Sequence, residues 1–173
     1  LAPETLDRIK AATAFVRVEW GDRAGSGSAF VINGYGDTVY LITNDHVVYP
    51  TPPEPPNARP RQRERPRPAT RPTVSVVLHS GTDKERTMNA SIVASDAKRD
   101  LALLRIESIK NPPRPLEVTN DVKLAETMPV YVFGFPFGGA MTTNRKSPAI
   151  TVGRGAISSL RTNERGEIEL VQV

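Results

Sequence analysis

Cysteine is absent from all 173 residues. No disulfide can staple the chain, and no cysteine-based zinc site can form. Histidine is nearly as scarce, with two copies, His46 and His79. No apolar run approaches the roughly 18 residues that a helical membrane span needs, so no integral membrane segment is expected. No signal peptide is recognisable either, and the opening Leu1-Ala2-Pro3 is what a processed or trimmed protein would show. What remains, 38% hydrophobic and 24% charged residues, is the composition of a globular chain long enough for a core of its own.

The formal charge of +4 invites a nucleic-acid reading, but its distribution argues against one. Six arginines and two glutamates between Pro50 and Pro72 supply a local net of +4, and the 17 basic and 17 acidic residues elsewhere cancel. A basic nucleic-acid surface on the folded body is therefore not expected. The same 50–72 stretch holds nine of the 16 prolines, a composition that favours extended conformation and cannot bury a core. It reads as a solvated insertion, with partner binding through its prolines and arginines as the other possibility.

Around it the chain alternates in strand period. Pro3–Ala12 reads as a short helix, with proline and an acid in the first turn. From Phe15 to Trp20, Val16, Val18 and Trp20 face one way while Arg17 and Glu19 face the other. Gly25–Ile32 and Thr38–Thr43 are further strands, and Asn33-Gly34 in 33–37 predicts a hairpin turn between them. Gly25-Ser26-Gly27-Ser28 is not a nucleophile elbow, because it opens a strand rather than joining strand to helix. Thr73–His79, Thr87–Ser95 and Leu101–Glu107 continue the pattern, and His79 is expected at a surface or strand edge. Asn111–Pro115 is a stiff connector, after which Met128–Gly138, Ala149–Leu160 and Glu167–Val173 form a second set of strands.

Two segments carry candidate chemistry. Tyr40-Leu41-Ile42 runs as an apolar strand into the polar turn Thr43-Asn44-Asp45, which delivers His46 ahead of Val47-Val48. Asp100 stands at the mouth of the apolar strand Leu101-Ala102-Leu103-Leu104. Asp96 is its competitor. Together these segments resemble the trypsin-like serine proteases, and within them the bacterial HtrA (Deg) type. There T-N-x-H-V-V carries the catalytic histidine and D-[LI]-A-L-[LI] the catalytic aspartate, which favours Asp100 over Asp96. Gly25–Ile32, Gly134–Gly138 (Gly-Phe-Pro-Phe-Gly) and Thr151–Ser158 are similar to further strands of that family.

The resemblance implies an all-β, trypsin-like double β-barrel with a short N-terminal helix: helix 1–12, first barrel 13–110 with the 50–72 insertion, and an incomplete second barrel 111–173. It implies His46 as general base and Asp100 as the acid that orients it, acting on protein or peptide substrates with neither cofactor nor metal. It also implies a periplasmic, secreted or cell-envelope setting in a bacterium, which suits a chain without cysteine. The family's nucleophile lies in a G-N-S-G-G loop, and no such motif occurs here; Ser158 and Ser159 lack the flanking glycines. The expectation is a serine endopeptidase whose serine lies beyond Val173, so that these residues alone are inactive. The alternative is an inactive protease-like binding module that uses the Pro/Arg-rich loop.

Overall fold

A computed structural model describes residues 1–49, 71–119, 122–141 and 147–173. The expected insertion at 50–72 falls, up to residue 70, outside them. Helix α1 (Pro3–Ala12) begins with proline in its first turn, Glu4 beside it and Lys10 in the last turn, each charge matched to the helix dipole. Thr13 Oγ1 donates to the Ile9 carbonyl at 2.8 Å, which satisfies one of the acceptors left open at the helix end.

Six strands follow: β1 (Thr13–Trp20), β2 (Arg23–Tyr35), β3 (Thr38–Thr43), β4 (Thr73–Leu78), β5 (Arg86–Asp96) and β6 (Leu101–Ile106). They close an antiparallel barrel in the order β1-β2-β3-β6-β5-β4. The barrel is two three-stranded meanders joined through β1–β4 and β3–β6, and closure leaves neither meander with an open edge. Period-two alternation fills it. Val16 and Val18, Ala29 and Val31, Val39 and Leu41, Val74 and Val76, and Leu104 and Ile106 are all buried in one cluster. At roughly 1.5–3 kcal/mol for each large side chain removed from water, this layer dominates the stabilisation of the fold.

One turn differs from the sequence expectation. Asn33 and Gly34 lie inside β2, at a register shift between Val31 and Asn33. The chain reverses instead at Gly36-Asp37, with Gly36 at φ 60° and Tyr35 paired to Thr38. The bulge absorbs the Asn-Gly signal, and the left-handed turn falls to the next glycine.

Beyond the connector, β7 (Pro129–Gly134) pairs with β8 (Thr151–Ala156), and β9 (Ser159–Thr162) with β10 (Ile168–Gln172). These are two two-stranded sheets. Of these, β7 packs against β1 and β2, and Phe135, just after β7, joins Phe15 of β1 and Val77 of β4 in a second buried cluster with Ile150 packed against it. The Phe15 and Phe135 rings meet at 5.3 Å and 57°, a tilted geometry that suits aromatic quadrupoles. A polar clasp lies beside them. Arg17 Nη2 donates to Ser147 Oγ at 2.7 Å, Ser147 Oγ donates to Glu85 Oε1 at 3.0 Å, and Gly81 N donates to Glu85 Oε2 at 2.7 Å. Partial burial pushes the Glu85 pKa upward, but hydrogen bonds from Gly81 and Ser147 and the charge of Arg17 outweigh it, so the net shift is downward. Among the described residues no helix is long and apolar enough to cross a membrane.

Candidate active site

β3 ends at Thr43 and β6 begins at Leu101, and because the two strands are antiparallel, with Thr43 opposite Ala102, these ends meet at one rim of the barrel. That topology brings together residues 54 positions apart.

The histidine side is a single helical turn, α2 (Asp45–Val48). Thr43 is buried, and its Oγ1 donates to the Ser28 carbonyl at 2.8 Å, which anchors the end of β3 to β2. Val48 is fully buried in the barrel core, and Val47 is 8% exposed. Val47 rests directly on Gly27, where a Cβ would lie 2.5 Å from Val47 Cγ2 and 2.9 Å from Cγ1. Glycine is required there for close approach rather than for backbone freedom.

The aspartate side is the residue before β6. Asp100 has φ 55°, in the left-handed region that aspartate tolerates better than most residues. This conformation turns its carboxylate back toward α2. Asp100 Oδ2 lies 2.6 Å from His46 Nδ1, and Asp100 Oδ1 accepts the His46 backbone N–H at 2.9 Å. Both carboxylate oxygens therefore engage the same residue. The His46 side chain stays 55% exposed and that of Asp100 34%, so the imidazole is gripped on one side and open on the other.

Asp96 does not join them. Its carboxylate accepts the backbone N–H groups of Lys98 and Arg99, each at 3.0 Å, and pairs with Arg99 Nη1 at 2.7 Å. The side-chain hydrogen bond from Arg99 leads the causes that lower its pKa. Asp96 thus builds the turn that presents Asp100. His79 is remote in role as well: it closes β4 at φ 51°, and its carbonyl accepts from Thr82 N and Oγ1. Burial, then the charges of Arg86 and Lys84, lower its pKa.

Two residues take parts that the sequence did not disclose. Ser28, read only as part of the strand Gly25–Ile32, accepts the Phe135 N–H on its Oγ at 2.8 Å and so fixes the segment after β7 against the barrel. Asn44, read as a turn former, donates from Nδ2 to the Asp100 carbonyl at 3.1 Å and to Asp100 Oδ2 at 3.3 Å. Its position two residues before His46 was visible; its target was not, because Asp100 lies 56 positions away.

Residues 27–173 match the family described as the trypsin-like peptidase domain. Among solved structures, the chain is similar to a serine endoprotease from Yersinia pestis at 20% identity and a TM-score of 0.59, over 91% of this chain and 44% of that one. The chain thus spans less than half the length of the Yersinia enzyme. No curated protein matches the sequence. The closed six-stranded barrel and a family match over 27–173 agree with one another, and the chain belongs to the trypsin-like peptidase domain family.

Proposed function

We propose that this chain carries the base and the orienting acid of an HtrA-type serine endopeptidase. The observation that supports this most directly is the 2.6 Å contact between His46 Nδ1 and Asp100 Oδ2. A carboxylate at Nδ1 selects the tautomer with its proton on that nitrogen, which leaves the Nε2 lone pair as proton acceptor. His46 takes the proton of a serine hydroxyl as it attacks the scissile carbonyl, then returns it to the departing amine. Asp100 stays ionised throughout and stabilises the imidazolium.

The serine is proposed to lie in a Gly-x-Ser-Gly-Gly loop C-terminal to residue 173 in a longer protein. Amides of that loop would supply the oxyanion donors, each worth roughly 3–4 kcal/mol. On this reading residues 13–110 are the first barrel and 111–173 the first part of the second. The substrates are proteins or peptides, and the setting is the envelope or exterior of a bacterium.

The test is made in the full-length protein, with casein hydrolysis and labelling of the nucleophile by a fluorophosphonate. His46→Ala and Asp100→Asn should each lower kcat by about 10⁴ while the circular dichroism spectrum is retained, since asparagine preserves the shape but favours the wrong tautomer. Wild-type turnover in either variant would overturn the assignment.

A further inference from the structure

The geometry points to Asn44 as a positioning residue that locks Asp100 for His46, an inference that rests on the dyad proposed above. Asn44 stands at the N-cap of α2, where asparagine ordinarily accepts a backbone N–H of its own helix. Here its side chain makes no capping bond. Its amide is spent on Asp100 instead, reaching the main-chain carbonyl at 3.1 Å and the side-chain Oδ2 at 3.3 Å.

A side-chain amide carries two N–H groups on one planar nitrogen. Directed at both Oδ2 and the carbonyl oxygen of one residue, they couple the carboxylate's rotation to its own backbone. That backbone needs support, because Asp100 sits at φ 55°, a conformation that persists when its surroundings over-determine it. Oδ2 is also the oxygen that meets His46 Nδ1. Asn44 and His46 therefore grip Asp100 from the same turn, two residues apart, and a swing of the carboxylate is opposed at both ends. A carboxylate in place of the amide would present no donor and would face Asp100 with like charge.

The rank of its variants separates Asn44 from an ordinary helix cap. As caps, asparagine, aspartate and serine are nearly equivalent, and alanine is poor. As a lock on Asp100, aspartate must be the worst substitution, alanine intermediate, and serine no better than alanine, because one short hydroxyl cannot span both acceptors. The experiment uses the full-length protein with Asn44→Ala, Asn44→Asp and Asn44→Ser beside His46→Ala. It measures kcat and KM for peptide hydrolysis and the downfield proton resonance of the His46 Nδ1–H.

Asn44→Ala should lower kcat on the order of tenfold to a hundredfold, as expected for a misplaced reacting group. KM should hold within about twofold, since the substrate contacts are untouched. Asn44→Asp should fall further, and the Nδ1–H resonance should move or broaden in both variants. Near-wild-type Asn44→Asp or Asn44→Ser beside an impaired Asn44→Ala would identify a cap and overturn the inference. Unchanged kcat in all three, with His46→Ala inactive, would overturn it while leaving the dyad intact. If His46→Ala retained activity, the proposed function would fall. The Nδ1–H resonance would then decide this inference alone: movement in Asn44→Ala upholds the lock, and an unchanged signal removes it. Should Asn44→Asp fail to fold, the Asn44→Ser and Asn44→Ala pair makes the same discrimination.

Discussion

A single methyl group at position 27 should disturb the dyad without touching it. In Gly27→Ala the new Cβ would stand 2.5 Å from Val47 Cγ2, 2.9 Å from Cγ1 and 3.3 Å from Cβ, against about 3.5–4.0 Å for carbon atoms in contact. Rotation of Val47 offers no escape, because both its methyls crowd the site and β-branching makes χ1 stiff. The backbone of α2 must therefore shift by about 1 Å, or β2 must bend. Overpacking of this kind costs about 1–3 kcal/mol, while replacing a strand glycine by alanine returns roughly 0.5–1 kcal/mol. The net loss of about 0–2.5 kcal/mol corresponds to a fall of up to roughly 10 °C in Tm for a chain of this size.

Catalysis should suffer more than stability, since His46 is the immediate neighbour of Val47. A displacement of about 1 Å stretches the 2.6 Å contact to Asp100 beyond hydrogen-bonding range and lowers kcat on the order of a hundredfold. The assay is a double-mutant cycle on the full-length protein, with Tm and kcat read for Gly27→Ala, Val47→Ala and the pair. Val47→Ala empties the space that the new methyl needs, so the double variant should recover both quantities relative to Gly27→Ala. Strict additivity, or wild-type kcat in Gly27→Ala, would refute the argument that this contact seats the histidine.

Two further outcomes follow from the charged groups outside the dyad. Glu85 has a folded pKa below its ordinary value, so its clasp contributes stability above the unfolded pKa and loses it as pH falls through the folded one; Glu85→Gln should flatten the dependence of Tm on pH in the region below about 4.5, where carboxylates titrate, and an unchanged acid limb would show that the clasp does not contribute. Asp96→Asn should leave kcat within about twofold, because asparagine also caps such turns, and a loss approaching that of Asp100→Asn would mean that the two aspartates had been assigned the wrong way round.

The strands, their inward faces and the two chemical segments were legible in the sequence because each depends on local pattern. Alternation with period two selects Val16, Val18, Leu41, Val74, Val76 and Leu104 for the barrel interior whatever the partner strand may be. The polar turn ahead of His46 and the aspartate ahead of an apolar strand are likewise contiguous along the chain. Asp100 was preferred over Asp96 on the family's D-[LI]-A-L-[LI] motif, and Asp100 is the aspartate that lies against the imidazole.

What tertiary structure alone decided depends on distances between residues far apart in sequence. Asn-Gly at 33–34 is a strong turn signal, yet a bulge in the β2–β3 register moved the reversal to Gly36-Asp37. Gly27 is a glycine because Val47, twenty positions on, packs where its side chain would be. The Asn44 amide read as a turn former, and only the pairing of β3 with β6 brings Asp100 within its reach. Ser28 acquired a task only when Phe135 docked beside it. Local pattern sets which way a side chain points from its own strand. Which atoms it then meets is set by register and barrel closure, and those follow from the sum of all the strands rather than from any one of them.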